Sequence, residues 1–309
     1  MTRAPYAALF PGQGSQAVGM AQALYEASPA AKAALDVAEA ALPGLLELMW
    51  SGPAEELQKT ANQQPALVAA GAAAYAAWLE TGAAPATYVA GHSLGEFTAL
   101  VAAGALDLGD AVRLVRARGE AMQRAVPESE GAMAAILKVD AAAVVAAVEA
   151  VRAEGLVVDV ANYNAPQQTV VSGRPDGVAA ASARLKEAGA RAIPLKVSAP
   201  FHCRLMAPAA ADLQPRLAAV ALRPLQAGLV ANVTADLVAD VELERRLLVE
   251  QVTAPVRWTD SLRRLADLGV ARFVEFGSGQ VLTGLVGRTL EGAAAVAVVD
   301  PASLKEALA

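Results

Sequence analysis

Short apolar runs that stop at glycine or proline alternate along this chain with longer stretches of helical periodicity. The first run, Tyr6-Ala7-Ala8-Leu9-Phe10, ends at Pro11-Gly12 as a buried strand does. Helical patterns are expected at about 19–41, 54–60 and 65–80. A second strand, about Thr87 to Ala90, leads into Gly91-His92-Ser93-Leu94-Gly95 and then a helix. Strands alternating with helices predict a mostly parallel sheet. The middle of the chain has a different order. Strands are expected at Met133–Val139, Val157–Asn162, Thr169–Ser172 and Arg191–Val197, with helices at Ala141–Glu154 and Gly177–Ala188. That βαββαβ order is the ferredoxin-like, split-βαβ unit. Alternation then resumes, with helices near 205–219, 241–250, 259–268 and 280–291, and strands near 229–233, Arg272–Phe276 and Ala295–Val299.

Composition narrows the class. Of 309 residues, 55% are hydrophobic and 18% charged, enough apolar material for a sizeable core. The formal net charge of −6 argues against nucleic acid as a partner. Cys203 is the only cysteine, which excludes an intrachain disulfide and a cysteine-based metal site. Met1 to Phe10 holds too short an apolar run for a signal-peptide core, and the uncharged stretch Thr60–Leu79 is broken by Asn62, Gln63, Gln64 and Pro65. The expectation is a cytoplasmic protein that does not enter a membrane.

Gly91-x-Ser93-x-Gly95, placed between a strand and a helix, matches the nucleophile elbow. The turn is so tight that small residues must flank the serine, and the helix N-terminus supplies free N–H groups for a developing oxyanion. The expected fold is therefore α/β. Residues 1–129 and 199–309 form a larger α/β-hydrolase-like subdomain with a mostly parallel sheet. Residues 130–198 form a small inserted ferredoxin-like subdomain.

A serine hydroxyl needs a base. Of the two histidines, His92 lies within the elbow, its side chain expected to point away from the Ser93 hydroxyl, so His202 is the candidate by elimination. What orients His202 stays open. Asp107, Asp110, Glu149, Asp159 and Asp176 lie between Ser93 and His202, none of them marked out, and a backbone carbonyl or a glutamine amide would also serve.

Arg118 stands out within the helical stretch Asp110–Val126. Arg113 and Arg116 have acidic partners at helical spacing, whereas the neighbours of Arg118 are Leu114, Val115, Ala121 and Met122. A buried guanidinium needs a partner. Two readings remain at this point: a structural pairing with a distant group, or a fork for a substrate carboxylate.

These motifs resemble the malonyl-CoA:acyl carrier protein transacylases of bacterial fatty-acid synthesis. The resemblance rests on Phe10-Pro11-Gly12-Gln13-Gly14-Ser15-Gln16, on Gly91-His92-Ser93-Leu94-Gly95-Glu96 and on Pro200-Phe201-His202. Gln64-Pro65-Ala66-Leu67, Asn162-Tyr163-Asn164, Glu250-Gln251 through Trp258 and the segment 277–285 extend it over essentially the whole chain. It implies a ping-pong reaction in which Ser93 takes the malonyl group from malonyl-CoA and passes it to the phosphopantetheine thiol of acyl carrier protein. His202 would be the base and Gln251 would orient it, often through the main-chain carbonyl. The N–H groups of Gln13 and Leu94 would form the oxyanion hole. Arg118 would hold the malonyl carboxylate, and Gln64 would line the pocket. His92, Asn162 and Phe201 would complete the substrate-binding set, with Phe201 crowding out an α-methyl branch.

The resemblance implies no cofactor and no metal, and a monomer is expected. An acidic carrier protein would be met by basic residues, with Lys186, Arg191 and Lys196 as candidates. The rival readings are a serine hydrolase, a non-catalytic carrier-docking module, and the same chemistry serving polyketide synthesis.

Overall fold

The computed structural model describes residues 5–197 and 199–309. Met1–Ala4, at the start of the apolar run weighed as a leader, and Ser198, the last position of the expected insert, lie outside the described residues. The strands are β1 (Tyr6–Phe10), β2 (Tyr88–Gly91), β3 (Ala132–Leu137), β4 (Val158–Ala165), β5 (Gln168–Gly173), β6 (Arg191–Pro194), β7 (Gly228–Val230), β8 (Arg272–Phe276) and β9 (Ala294–Val298). They form two sheets. The larger has the order β7-β2-β1-β8-β9, with every pairing parallel. The smaller has the order β4-β5-β3-β6, with every pairing antiparallel. The helices Ala141–Ala153 and Pro175–Glu187 pack on the smaller sheet, which gives the ferredoxin-like arrangement.

Parallel strands are covered on both faces and read as near-continuous apolar runs. Accordingly β1 is buried along its whole length. The few aromatic residues concentrate where this sheet meets the helix Thr60–Glu80. Phe10, Tyr75, Trp78 and Phe276 pack edge-on or tilted, with ring centroids 5.1–6.0 Å apart.

Several expected elements differ in extent. The stretch 19–41 is two helices, Gln22–Ala27 and Pro29–Ala41, because Ser28 breaks the run and caps the second helix through the N–H of Ala31. The helix expected at 65–80 begins at Thr60 and carries Pro65 inside it. Its burial on nearly every side outweighs the lost backbone hydrogen bond. Two helices were not foreseen. Leu45–Ser51 follows Pro43-Gly44, a pair that reads as a breaker, with Gly44 in the left-handed region. Pro301–Leu308 starts from a capping box between Asp300 and Ser303.

Candidate active site

In a parallel sheet all strands end at the same edge, and binding sites form there. Here β7, β2 and β1 are neighbours, so the segments after them bring Asn232, Ser93 and Gln13 together. Ser93 has φ 54°, a left-handed conformation that a non-glycine residue holds only when its surroundings enforce it. Its flanking glycines explain the enforcement. A Cβ on Gly91 would sit 1.9 Å from the carbonyl carbon of Gly95, and one on Gly95 would sit 2.1 Å from the carbonyl oxygen of Phe10. Asn232 clamps the turn. Its Oδ1 accepts from the Ser93 N–H at 2.7 Å and its Nδ2 donates to the Gly91 carbonyl at 2.6 Å.

His202 also has positive φ, 56°, in the segment returning from the smaller sheet. Its Nε2 lies 2.8 Å from Ser93 Oγ and its Nδ1 lies 2.8 Å from the main-chain carbonyl of Gln251. A carbonyl can only accept, so Nδ1 carries the proton and Nε2 presents its lone pair to the serine hydroxyl. Burial, reinforced by the charge of Arg118, pushes the imidazole down to about 3. His202 is therefore neutral at neutral pH and free to accept a proton. The aspartates and glutamates between Ser93 and His202 are not bonded to the imidazole; Asp159, for example, is engaged by Arg152 and Arg204.

Arg118 reaches this point from the helix Leu108–Ala125 and is 1% exposed. Its Nη1 donates to Gln64 Oε1 at 2.9 Å, and its Nη2 donates to Gln251 Oε1 at 2.9 Å and to Ser93 Oγ at 3.1 Å. Every one of these acceptors is neutral, and Arg118 Nε has no hydrogen-bond partner. Burial lowers its pKa to about 10, so the guanidinium stays charged at neutral pH. Thus the helix delivers against the serine oxygen a cation that, among the described residues, is in salt-bridge contact with no carboxylate.

A cavity of about 380 Å³ opens onto Ser93 and His202. Gln13, His92, Asn162 and Phe201 are on its wall, with Met133, Leu195, Lys196 and Val197 from the smaller sheet and its exit. His92 thus faces the same cavity as Ser93; its Nε2 is 2.8 Å from Asn164 Oδ1. Gln64, expected on the wall, is fully buried behind it. The amide of Gln64 is drawn inward because it bridges Arg118 and Gln13, and Gln63 occupies the wall position instead. Leu94 is buried in the elbow. Among the described residues no group accepts from the N–H of Leu94 or Gln13, while the N–H of Ser93 is committed to Asn232. Lys186 and Arg191 lie away from the cavity, exposed on the smaller-sheet side.

Sequence reading missed Asn232, Glu96 and Glu244. Glu96 Oε2 accepts from Gln251 Nε2 at 2.8 Å and from the Asn232 N–H at 3.1 Å. Gln251 Nε2 also donates to the Ser93 carbonyl at 3.1 Å. The one signal available was Glu96 itself, the only charged residue between Ser93 and Asp107.

Residues 8–305 match the family described as "Acyl transferase domain". The chain is 47% identical over 302 residues to the malonyl CoA-acyl carrier protein transacylase of Bacillus subtilis, covering 97% of this chain and 95% of that protein. It is 45% identical over 305 residues to the Escherichia coli K12 protein of the same name, covering 98% of each. Among solved structures it resembles an acyl-carrier-protein S-malonyltransferase from Burkholderia pseudomallei, with TM-score 0.95 and 44% identity over 98% of this chain and 99% of that one. A malonyl-transacylase in complex with its type II PKS acyl-carrier protein gives TM-score 0.95 and 43% identity, with the same coverage.

Proposed function

The chain belongs to the acyl transferase domain family, and on that premise we propose that it moves a malonyl group from malonyl-CoA to acyl carrier protein. Ser93 Oγ attacks the thioester carbonyl while His202 Nε2 takes its proton. The N–H groups of Gln13 and Leu94 receive the oxyanion. The tetrahedral intermediate collapses to a malonyl-Ser93 ester, and His202 returns the proton to the departing CoA thiolate. In the second half the phosphopantetheine thiol of the carrier protein attacks the ester, with His202 taking and returning the proton in turn. Gln251 holds His202 in the required tautomer through its carbonyl.

One observation carries the choice of acyl group: the buried Arg118 guanidinium has only neutral acceptors around it. It sits one hydrogen bond beyond the cavity wall, 3.1 Å from the atom that would carry the acyl group. A carboxylate brought in on that acyl chain supplies a directly hydrogen-bonded counter-charge, which a neutral acyl group does not. Phe201, beside His202 on the cavity wall, restricts branching next to the carbonyl.

The reaction needs no cofactor, since malonyl-CoA is a substrate and the side chains supply nucleophile, base and counter-charge. All the site residues come from one chain, which suits a monomer. No helix among the described residues is long and apolar enough to cross a membrane; we assign the enzyme to the cytoplasm. In this reading the carrier protein serves fatty-acid synthesis, as the resemblance of the sequence motifs implies.

The test is the intact mass of the protein after acid quench from malonyl-CoA, alongside Ser93→Ala. A malonyl adduct on the wild type alone is expected. Steady CoA release without an adduct would point to hydrolysis and defeat the proposal.

A further inference from the structure

Behind Gln251 lie two carboxyl groups that the transfer chemistry does not use. Glu96 comes from the first turn of the helix Gly95–Ala102 and Glu244 from the helix Val241–Glu250; both are 0% exposed. Each carboxyl group acts directly on the other. Glu96 Oε1 and both oxygens of Glu244 are buried, and among the described residues no donor reaches any of the three. Carboxylate oxygens only accept, so a bond between two carboxyl groups requires a proton on one of them. Two adjacent buried carboxylates would instead repel each other.

The neighbours decide which group holds the proton. Burial raises Glu96, to about 7, but its Oε2 receives the Gln251 amide and the Asn232 N–H and the charge of Arg118 acts on it, and these three favour the carboxylate. Glu244 has only Glu96 facing it, and burial together with that neighbour pushes its carboxyl well above the usual range. The remaining charged groups on the helix Val241–Glu250 and the helix Ala207–Ala219 lie toward the surface, with Arg246 and Glu250 exposed. Glu242 pairs with Arg245, Asp212 with Arg124 and Arg216, and the helix Gly95–Ala102 carries no other titratable residue.

We propose that Glu244 is a positioning residue held as a neutral carboxylic acid, donating its proton to Glu96 and so fixing the two residues, Asn232 and Gln251, that hold Ser93 and His202. Through Glu96 Oε2 the pair orients Asn232, which grips both sides of the elbow. Through the same oxygen it orients Gln251, whose carbonyl sets the His202 tautomer and whose amide oxygen holds Arg118. One shared proton thus anchors nucleophile, base and counter-charge together. The inference rests on the reading that Ser93 and His202 carry out malonyl transfer.

The test compares Glu244→Gln and Glu244→Leu in the full chain. Glutamine donates an N–H to Glu96 in place of the acid proton; leucine fills the space and donates nothing. Glu244→Leu should slow malonylation of the enzyme by about tenfold or more, on the scale of one lost hydrogen bond to a buried charge, with KM little changed. Glu244→Gln should keep the rate within a few-fold, the rescue expected of a conservative donor. The infrared difference spectrum of wild type against Glu244→Gln at neutral pH should contain the carbonyl stretch of a protonated carboxylic acid. Absence of that band, a Glu244→Leu enzyme as fast as wild type, or a Glu244→Gln enzyme as impaired as Glu244→Leu would overturn the proposal. Should Glu244→Leu fail to fold, the infrared band and the Glu244→Gln rate still decide. A wild type that takes no malonyl label would defeat the proposed function while leaving the band to decide the protonation of Glu244.

Discussion

Two sheets border one cavity and give it different things. The five-stranded parallel sheet ends all its strands at one edge, and the segments after β1, β2 and β7 deliver Gln13, Ser93 and Asn232 there. The four-stranded antiparallel sheet supplies no residue bonded to Ser93 Oγ. It supplies wall: Met133 from β3, Asn162 from β4, and Leu195 and Lys196 just beyond β6. The physical difference lies in the strand ends. Parallel strands gather loops and helix N-termini at one edge, where backbone N–H groups converge, whereas antiparallel strands alternate their ends and offer mainly a side-chain surface. Changes on the parallel-sheet side should therefore damage chemistry in both half-reactions. Changes on the other side should act on access and partner alone.

The largest expected effect is His202→Ala, a loss of roughly 100- to 10,000-fold in both malonylation of the enzyme and transfer to the carrier. Single-turnover rates for each half would show it; loss confined to one half would break the division of labour. Next is Arg118→Ala. Malonyl transfer should fall relative to acetyl transfer by roughly 10- to 100-fold, the worth of a charged hydrogen-bonded pair. Removing its charge should also raise the proton affinity of His202, moving the acid limb of the rate profile to higher pH. Equal losses for malonyl and acetyl would sink the carboxylate assignment.

A smaller effect is on stability. His202 in the folded state titrates near 3 and in the unfolded chain at its ordinary value of 6.5. Between those values the unfolded chain binds more protons, so His202 lowers stability as pH falls from about 6.5 towards 3, by up to ~1.4 kcal/mol per pH unit. Burial raises Glu96 to about 7 and Glu244 well above its ordinary value, so both act in the opposite sense, and the Glu96 contribution is lost as pH rises from 4.5 through about 7. Denaturant titrations of wild type and His202→Gln from pH 7 to pH 4 separate the two: the variant should lose less stability on acidification.

Smaller again is reversal of Lys186 and Lys196 to glutamate on the antiparallel side. It should weaken transfer to carrier protein several-fold, in a salt-dependent way, and leave malonylation from CoA intact. Equal loss in both halves would remove the contrast between the sheets. Smallest is Cys203→Ala. Its thiol is buried and bonded to the Pro200 carbonyl, and burial raises its pKa. The labelled fraction should be unchanged, with stability lower by ~1 kcal/mol.

Much of this was legible locally. The elbow announces itself because a tight turn allows only small residues beside the serine, and Gly91 and Gly95 satisfy that within five positions. Arg118 announced itself because its own helix offers it no partner. Gln64 was placed one layer too far out, since a residue beside the cavity cannot be told from one behind it until the amide's partners are known. Asn232 and Glu244 gave no usable signal, and Glu96 gave only its isolation as a charged residue. Their contacts span 136 to 141 positions or join helices far apart in the chain.

The sequence by itself determined the strand and helix order, the elbow, the candidate base by elimination and the oddity of one arginine. These follow from hydrophobic periodicity, from turn sterics and from the scarcity of histidine. Only the tertiary structure decided what orients His202, what surrounds Arg118 and what anchors Gln251. Those are hydrogen bonds between groups far apart in the chain, brought together by the packing of helices and loops, and no spacing along a chain encodes which carbonyl or carboxyl will lie 2.8 Å away.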